Sequence, residues 1–233
     1  MIQGYAMEGY PKDKTWKDYG HASIKTGLNI IPLAGGALAS AFETVFSSPI
    51  DKRKEEWLIQ LAATVDEICA QVSGLTPEKL SENDLFVSAY LQASNIAVRS
   101  HQKEKIDALS KAVKNTVIIT DLDETLKLIF IRIIDDMTPM HFQVLHFLAC
   151  PKVYIERLNA KSSPNSYTHW GDLRNVWDKI YQDVNSQNSI IDLVISDLHR
   201  FGLVRVEKFH EARLDSVSTG VGNKFIDFIE LES

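Results

Sequence analysis

Two carboxylates, followed closely by a threonine, are the residues of this chain whose types and spacing could do chemistry. Asp121, Asp123 and Thr125 stand at alternate positions, one residue after the apolar residues 117–119. Carboxylate oxygens are preferred ligands of Mg²⁺, and an aspartate can act as a nucleophile toward phosphorus. Aspartates that precede a helix have a second use, because they accept hydrogen bonds from its free N–H groups.

This run resembles the first motif of the haloacid-dehalogenase-type phosphatases, an apolar strand followed by D-x-D-x-T. The resemblance implies a Mg²⁺-dependent phosphatase in which Asp121 is the nucleophile, Asp123 the general acid and base, and Thr125 a phosphoryl contact. That family requires a doubly wound parallel sheet. The chain has helical patterns on both sides of the run, so we favour aspartates that cap a helix starting near Glu124. The phosphatase is kept as an alternative.

The other reactive residues form no known catalytic or metal-binding motif. The sequence has no HExxH run, no paired CxxC and no glycine-rich phosphate loop. His141 and His146 are five residues apart, which puts them on different faces of a helix. Cys69 and Cys150 lie in apolar helical patterns, which is typical of small buried side chains in a reducing compartment. We therefore predict no catalytic residue, no metal site and no cofactor.

Composition indicates a globular protein with an acidic balance. The chain has 233 residues, 45% of them hydrophobic, and a formal net charge of −6. Because phosphate contacts dominate nucleic-acid binding, an acidic chain is a poorer candidate for it than a basic one. Residues 1–19 contain neither a basic region nor a leading apolar run, so they do not resemble a signal peptide, and we predict a cytoplasmic protein.

The longest apolar stretch lies near the start of the chain and has two interpretations. Residues 28–46 approach the length that spans a bilayer, but Asn29, Pro32 and Glu43 are costly in hydrocarbon. We favour a buried helix that begins near Ala37. The alternative is a membrane-acting effector, for example in defence against phage, that uses this stretch.

Helical patterns dominate the rest of the front half. Apolar residues recur at three- and four-residue steps, the spacing of one helix face. Pro49 is expected to separate the apolar stretch from the next helix. Further helices are predicted over residues 50–72 and 123–135. Residues 83–115 are predicted as one long helix or two in tandem, with a solvated turn at 101–105.

The pattern changes after residue 136. Thr138 and Pro139 have the chemistry of a helix start, and Gly202 that of a helix end. Residues 203–209 alternate apolar and polar side chains, which predicts a strand. Helices are predicted over 139–149, 171–182, 188–201 and 221–231. We accordingly predict a mainly α protein with an arm (1–27), a helical domain (28–136) and a winged-helix-like domain (137–233).

The tail resembles bacterial winged-helix proteins in the run Ile190–Val204 and in the turn Thr219–Phe225. The resemblance implies a helix-turn-helix whose second helix and wing face a partner. That helix carries Asp192 and Asp197, and the tail from Thr138 has 10 Lys plus Arg against 12 Asp plus Glu. We therefore favour a protein partner and keep DNA as the alternative. The predicted contact residues are Asn188, Ser189, Arg200, Arg205, Lys208 and Arg213.

A wider set of landmarks resembles a group of bacterial proteins of unknown activity. The resemblance runs from Ile30 through most of the chain and implies a helical front half with a winged-helix-like tail. It implies no catalytic residue. The landmarks are Ile31-Pro32, Gly35-Gly36, Pro49, Asp51 to Arg53, Trp57, His101 to Lys105, Thr138-Pro139, His141, Gly222 and Phe225.

Overall fold

A computed structural model of the protein describes residues 37–161, 173–181, 188–212 and 215–230. The predictions on residues 1–36 and on Arg213 lie outside this part. The described part is mainly helical, as predicted. Its helices are α1 (Ala37–Gln71), α2 (Pro77–Ser81), α3 (Asp84–Arg99), α4 (Lys103–Ile118), α5 (Glu124–Asp136), α6 (Pro139–Ala149), α7 (Pro151–Lys161), α8 (Leu173–Ile180), α9 (Asn188–Arg200) and α10 (Gly220–Phe228).

Helix α1 runs straight through Pro49, so the predicted break at this residue is wrong. A proline inside a helix removes one hydrogen bond and crowds the preceding turn. Pro49 is exposed, which leaves water able to solvate the freed carbonyl group. Downstream, Trp57, Leu61, Val65 and Ile68 are buried on one face, and this packing stabilises the helix.

The front bundle consists of α1, α3, α4 and α5. Buried polar pairs set the register of α1 on its neighbours: the Trp57 Nε1–H donates to Ser94 Oγ at 2.9 Å, and the hydroxyls of Thr64 and Ser110 lie 2.6 Å apart. The predicted turn after residue 100 is present, because α3 ends at Arg99 and α4 begins at Lys103. The expected solvated tract is not fully exposed, since Lys105 is buried and donates to the Asp135 carbonyl at 2.7 Å.

An aromatic cluster organises the C-terminal part. The rings of Phe147, Trp177 and Phe209 meet edge to face at centroid distances of 5.1, 6.0 and 6.1 Å. Tyr154 packs against Phe147 at 5.1 Å. Edge-to-face contacts of this kind are favourable because the positive ring edge meets the negative ring face. They join α6, α7 and α8 to the segment that follows α9.

The predicted strand 203–209 is wrong in its extent. Among the described residues, strand pairing is reduced to one antiparallel bridge between Val204 and Ser218. Two hydrogen bonds flank it, from Arg205 N to Val217 O and from Thr219 N to Leu203 O, both 2.9 Å. The chain then turns into a 3₁₀ helix at Phe209–Glu211, because the buried Phe209 ring inserts into the aromatic cluster.

One hydrophobic core connects the front bundle to the C-terminal part. Phe130 of α5 contacts Phe225 and Phe228 of α10 at ring distances of 5.2 and 5.5 Å. Asn115 of α4 also donates to the Phe228 carbonyl at 2.9 Å, which satisfies an end of α10. The division into domains at residue 136 stays a prediction, although the core is continuous across it.

Candidate partner-binding surface

The D-x-D-x-T run lies at a helix start and not at the end of a strand. Residues 117 and 118 belong to α4, and Asp123 is the N-cap of α5, accepting from Leu126 N at 3.2 Å. Asp121 and Thr125 are exposed. The capping interpretation is thus confirmed for Asp123, and in the described part the parallel sheet that a phosphatase site requires is not present.

We expect the two aspartates to differ in stability effects and not in activity. Asp123→Ala should cost about 1 kcal/mol because it removes the cap, whereas Asp123→Asn should cost little, since asparagine caps equally well. Asp121→Ala should be nearly neutral. Urea unfolding checks this order. A phosphatase would instead lose turnover of a generic phosphate ester with Asp121→Asn and Asp123→Asn, and any such loss contradicts our interpretation.

Helix α9 presents an apolar outer face to solvent. Its inner residues Ile191, Val194, Ile195 and Leu198 are buried. Ile190 and Leu193 lie on the opposite side of the helix, three residues apart, and are 46% and 62% exposed. Ser196 and Arg200 continue this outer face and are also exposed. The helix predicted to meet a partner therefore offers apolar side chains over its first half and polar ones over its second.

The two acids of α9 have internal partners, and this corrects the expectation that they face a partner. Asp192 accepts from Phe209 N at 3.2 Å and so holds the 3₁₀ turn. Asp197 pairs with Arg200 at 3.0 Å and lies 3.5 Å from His141 Nε2. Both side chains are half-buried, so neither forms the outer face of the helix.

The predicted cationic contact residues of the described part are exposed, and two of them have partners within the chain. Arg200 is paired with Asp197, and the Arg205 guanidinium donates to the Ser218 carbonyl at 2.8 Å. Lys208 is exposed. Arg200 lies on α9, Arg205 lies in the bridge segment (residues 203–205), and Lys208 directly precedes the 3₁₀ helix. Asn188 and Ser189 begin α9, but their side chains lie outside the described part, as does the whole of Arg213.

Two buried histidines lie on α6, and one of them, His141, reaches Asp197 of α9. His141 Nδ1 accepts from Thr138 N at 3.1 Å, so it closes the start of α6. His146 Nδ1 contacts the Tyr154 hydroxyl. Burial lowers the pKa of both imidazoles below the ordinary 6.5; Arg157 adds to this for His146, whereas Asp197 opposes it for His141.

Acidification should destabilise the fold through these histidines. Because their pKa values are lowered in the folded state, the unfolded chain takes up protons first as the pH falls below 6.5. The stability that the two neutral histidines contribute is fully present above pH 6.5, and it is lost as the pH falls toward their folded-state pKa values. Urea unfolding at about pH 7.5 and about pH 5.5 measures it. The variant His146→Asn can keep a polar contact to Tyr154 without titrating, so its free energy of unfolding should fall less between the two pH values. An equal fall in wild type and variant contradicts this prediction.

The described residues offer no basis for a metal centre or a membrane span. They contain no group of three or more histidine, cysteine or acidic residues that could hold a metal ion. Within the same part of the chain, no helix combines the length and the apolar character needed to cross a bilayer. Cys69 and Cys150, predicted as buried, are half-buried free thiols.

Comparison of the chain with protein-family models, with curated proteins and with solved structures finds no match.

Proposed function

We propose that this chain is a non-enzymatic interaction or regulatory protein of the bacterial cytoplasm that binds another protein through the outer face of α9. The observation that carries the proposal is the exposure of Ile190 and Leu193 side by side on that helix. Because about half of each side chain is already buried, covering the rest against a partner favours a complex by about 1 kcal/mol each. We interpret the C-terminal part as a winged helix whose wing is reduced to the bridge between Val204 and Ser218.

A protein partner fits this face better than DNA. Interface centres are typically apolar and depleted of charge, whereas a helix in the major groove needs polar and cationic side chains. On the outer face of α9 the cation is Arg200, and it forms an ion pair with Asp197 at 3.0 Å. The wing cation Arg205 lies outside α9 and donates to the Ser218 carbonyl.

Affinity purification with paired variants tests the proposal. Tagged wild type, Leu193→Glu and Ile59→Glu would be recovered from cells of the source organism, and the co-purifying proteins quantified by mass spectrometry. Both substituted residues are more than half exposed, so both variants should fold. We expect a partner protein that co-purifies in equal amounts with wild type and with Ile59→Glu. Its amount should fall at least about tenfold with Leu193→Glu, as for an interface hot spot. Equal recovery with all three contradicts the proposal.

A titration with random-sequence duplex DNA tests the alternative. We expect no binding at about 50 mM salt, where phosphate contacts are strongest. Binding that disappears at about 300 mM salt, and that weakens when Lys208 is replaced by alanine, would favour DNA instead.

A further inference from the structure

A groove between the first halves of α3 and α5 forms a second surface with a distinct chemistry. Its volume is about 560 Å³, and its apolar lining comes from the partly buried Leu85, Leu128 and Ile129. Ser88 lies on the α3 wall, and Leu91, one turn further along α3, is 53% exposed. Over the nine residues from Glu124 to Arg132, the α5 wall is about 12 Å long, which matches two helical turns of an occupant.

Acidic side chains surround one end of this groove. Asp84 and Glu124 line it directly, and both are exposed. Glu82, Asp121 and Asp123 lie next to them in the chain and are also exposed. Each ion pair in the described part of the chain uses other acids.

The exposed cation Arg132 also lines the groove, about two turns along α5 from Glu124, and the lysines nearest in sequence form no ion pair with the acidic end. Lys79 donates to the Gly74 carbonyl at 2.6 Å, and the buried Lys127 donates to the Thr116 carbonyl at 3.0 Å. Exposed acids without an ion-pair partner attract a cationic partner. Nucleic acid would be repelled by the same charges.

We propose that the α3–α5 groove binds a cationic amphipathic helix of another protein. Leucine-like side chains at i, i+3 or i+4, and i+7 would lie on Leu85, Leu128 and Ile129, as in other helix-in-groove complexes. Lysine or arginine side chains at one end of the bound helix would pair with Asp84 and Glu124. This assigns the acidic D-x-D-x-T run to the rim of a docking site, and it does not depend on the α9 surface.

A designed peptide tests this site on the intact protein. The probe is a peptide of about 18 leucine and lysine residues with leucine on one helical face, and a scrambled peptide of the same composition is its control. Each is titrated into the ¹⁵N-labelled full chain. We expect the amphipathic peptide to shift backbone signals of residues 82–92 and 121–132, and the scrambled peptide to bind at least about tenfold more weakly.

Matched charge variants complete the test. Asp84→Asn with Glu124→Gln should weaken binding about five- to tenfold. Glu104→Gln with Glu156→Gln, which neutralises two exposed acids on other helices, should leave it unchanged. Circular dichroism establishes that both double variants fold. Equal binding of the scrambled peptide, equal weakening by both double variants, shifts elsewhere in the chain, or the same shifts with Mg²⁺ alone would each overturn the proposal.

Discussion

Replacing Phe130 with alanine should lower the free energy of unfolding by about 3–5 kcal/mol. The ring is fully buried and contacts Phe225 at 5.2 Å and Phe228 at 5.5 Å. Its loss removes apolar burial, leaves a cavity and ends two aromatic contacts. Because these contacts join α5 to α10, the front bundle and the tail should lose stability together. Urea unfolding followed by both fluorescence and circular dichroism measures this.

The control for Phe130→Ala is Ile59→Ala, which truncates an apolar side chain that is 65% exposed. That variant should stay within about 0.5 kcal/mol of wild type. Two results would contradict the conclusion that the core is continuous. One is a fall in the free energy of unfolding of less than about 1 kcal/mol for Phe130→Ala, and the other is a tail that unfolds while the bundle stays folded.

Gly222→Ala should strongly destabilise the tail. A Cβ atom at residue 222 would lie 2.1 Å from the Leu203 carbonyl oxygen and 2.9 Å from its carbon. The obstacle is backbone, so α10 would have to move away from the bridge segment. We expect a loss of about 2–3 kcal/mol, at the upper end for overpacking. Thermal unfolding of the purified variant measures it.

Gly220 provides a control within the same helix. A Cβ atom there meets nothing within 4 Å. Gly220→Ala should therefore be neutral, or stabilising by up to about 1 kcal/mol, because alanine loses less backbone entropy in a helix. If the two alanine variants were equally stable, the close approach of α10 to Leu203 would be wrong.

Local capping chemistry made much of the helical architecture predictable. The Thr76 hydroxyl accepts from Lys79 N at 3.4 Å, and Asp123 caps α5. Thr138 and Pro139 begin α6 where predicted, and Gly202, with φ of +74°, ends the turn after α9. Such signals act within a few residues of the chain, so they are visible in the sequence alone.

Features that depend on distant contacts were not predictable. Helix α1 continues through Pro49 because the residues beyond it pack on α3 and α4. The alternating residues 203–209 do not extend a strand because Phe209 is needed in the aromatic cluster. Alternation identifies which side chains are buried, but it does not show whether a neighbouring strand is long enough to pair with them.

The helix of the candidate surface was predictable from the sequence, but the environment of its side chains was not. The sequence predicts a helix over 188–201, and its role as a contact helix stays a prediction. The role of Asp192 depends on the 3₁₀ turn at Phe209, 17 residues further along the chain. Likewise, the exposure of Ile190 and Leu193 follows from which face of α9 packs on α6. An apolar residue of an amphipathic helix is normally expected to face the core, so this signal was missed.

Site-specific photocrosslinking from residue 193 tests the proposed role of α9 most directly. A photoreactive phenylalanine derivative would replace Leu193, or Ile59 as the exposed control, in living cells. We predict protein adducts of one or a few discrete masses from position 193 and none of these from position 59. Adducts that are the same from both positions, no adduct from position 193, or crosslinks to DNA alone would contradict the account.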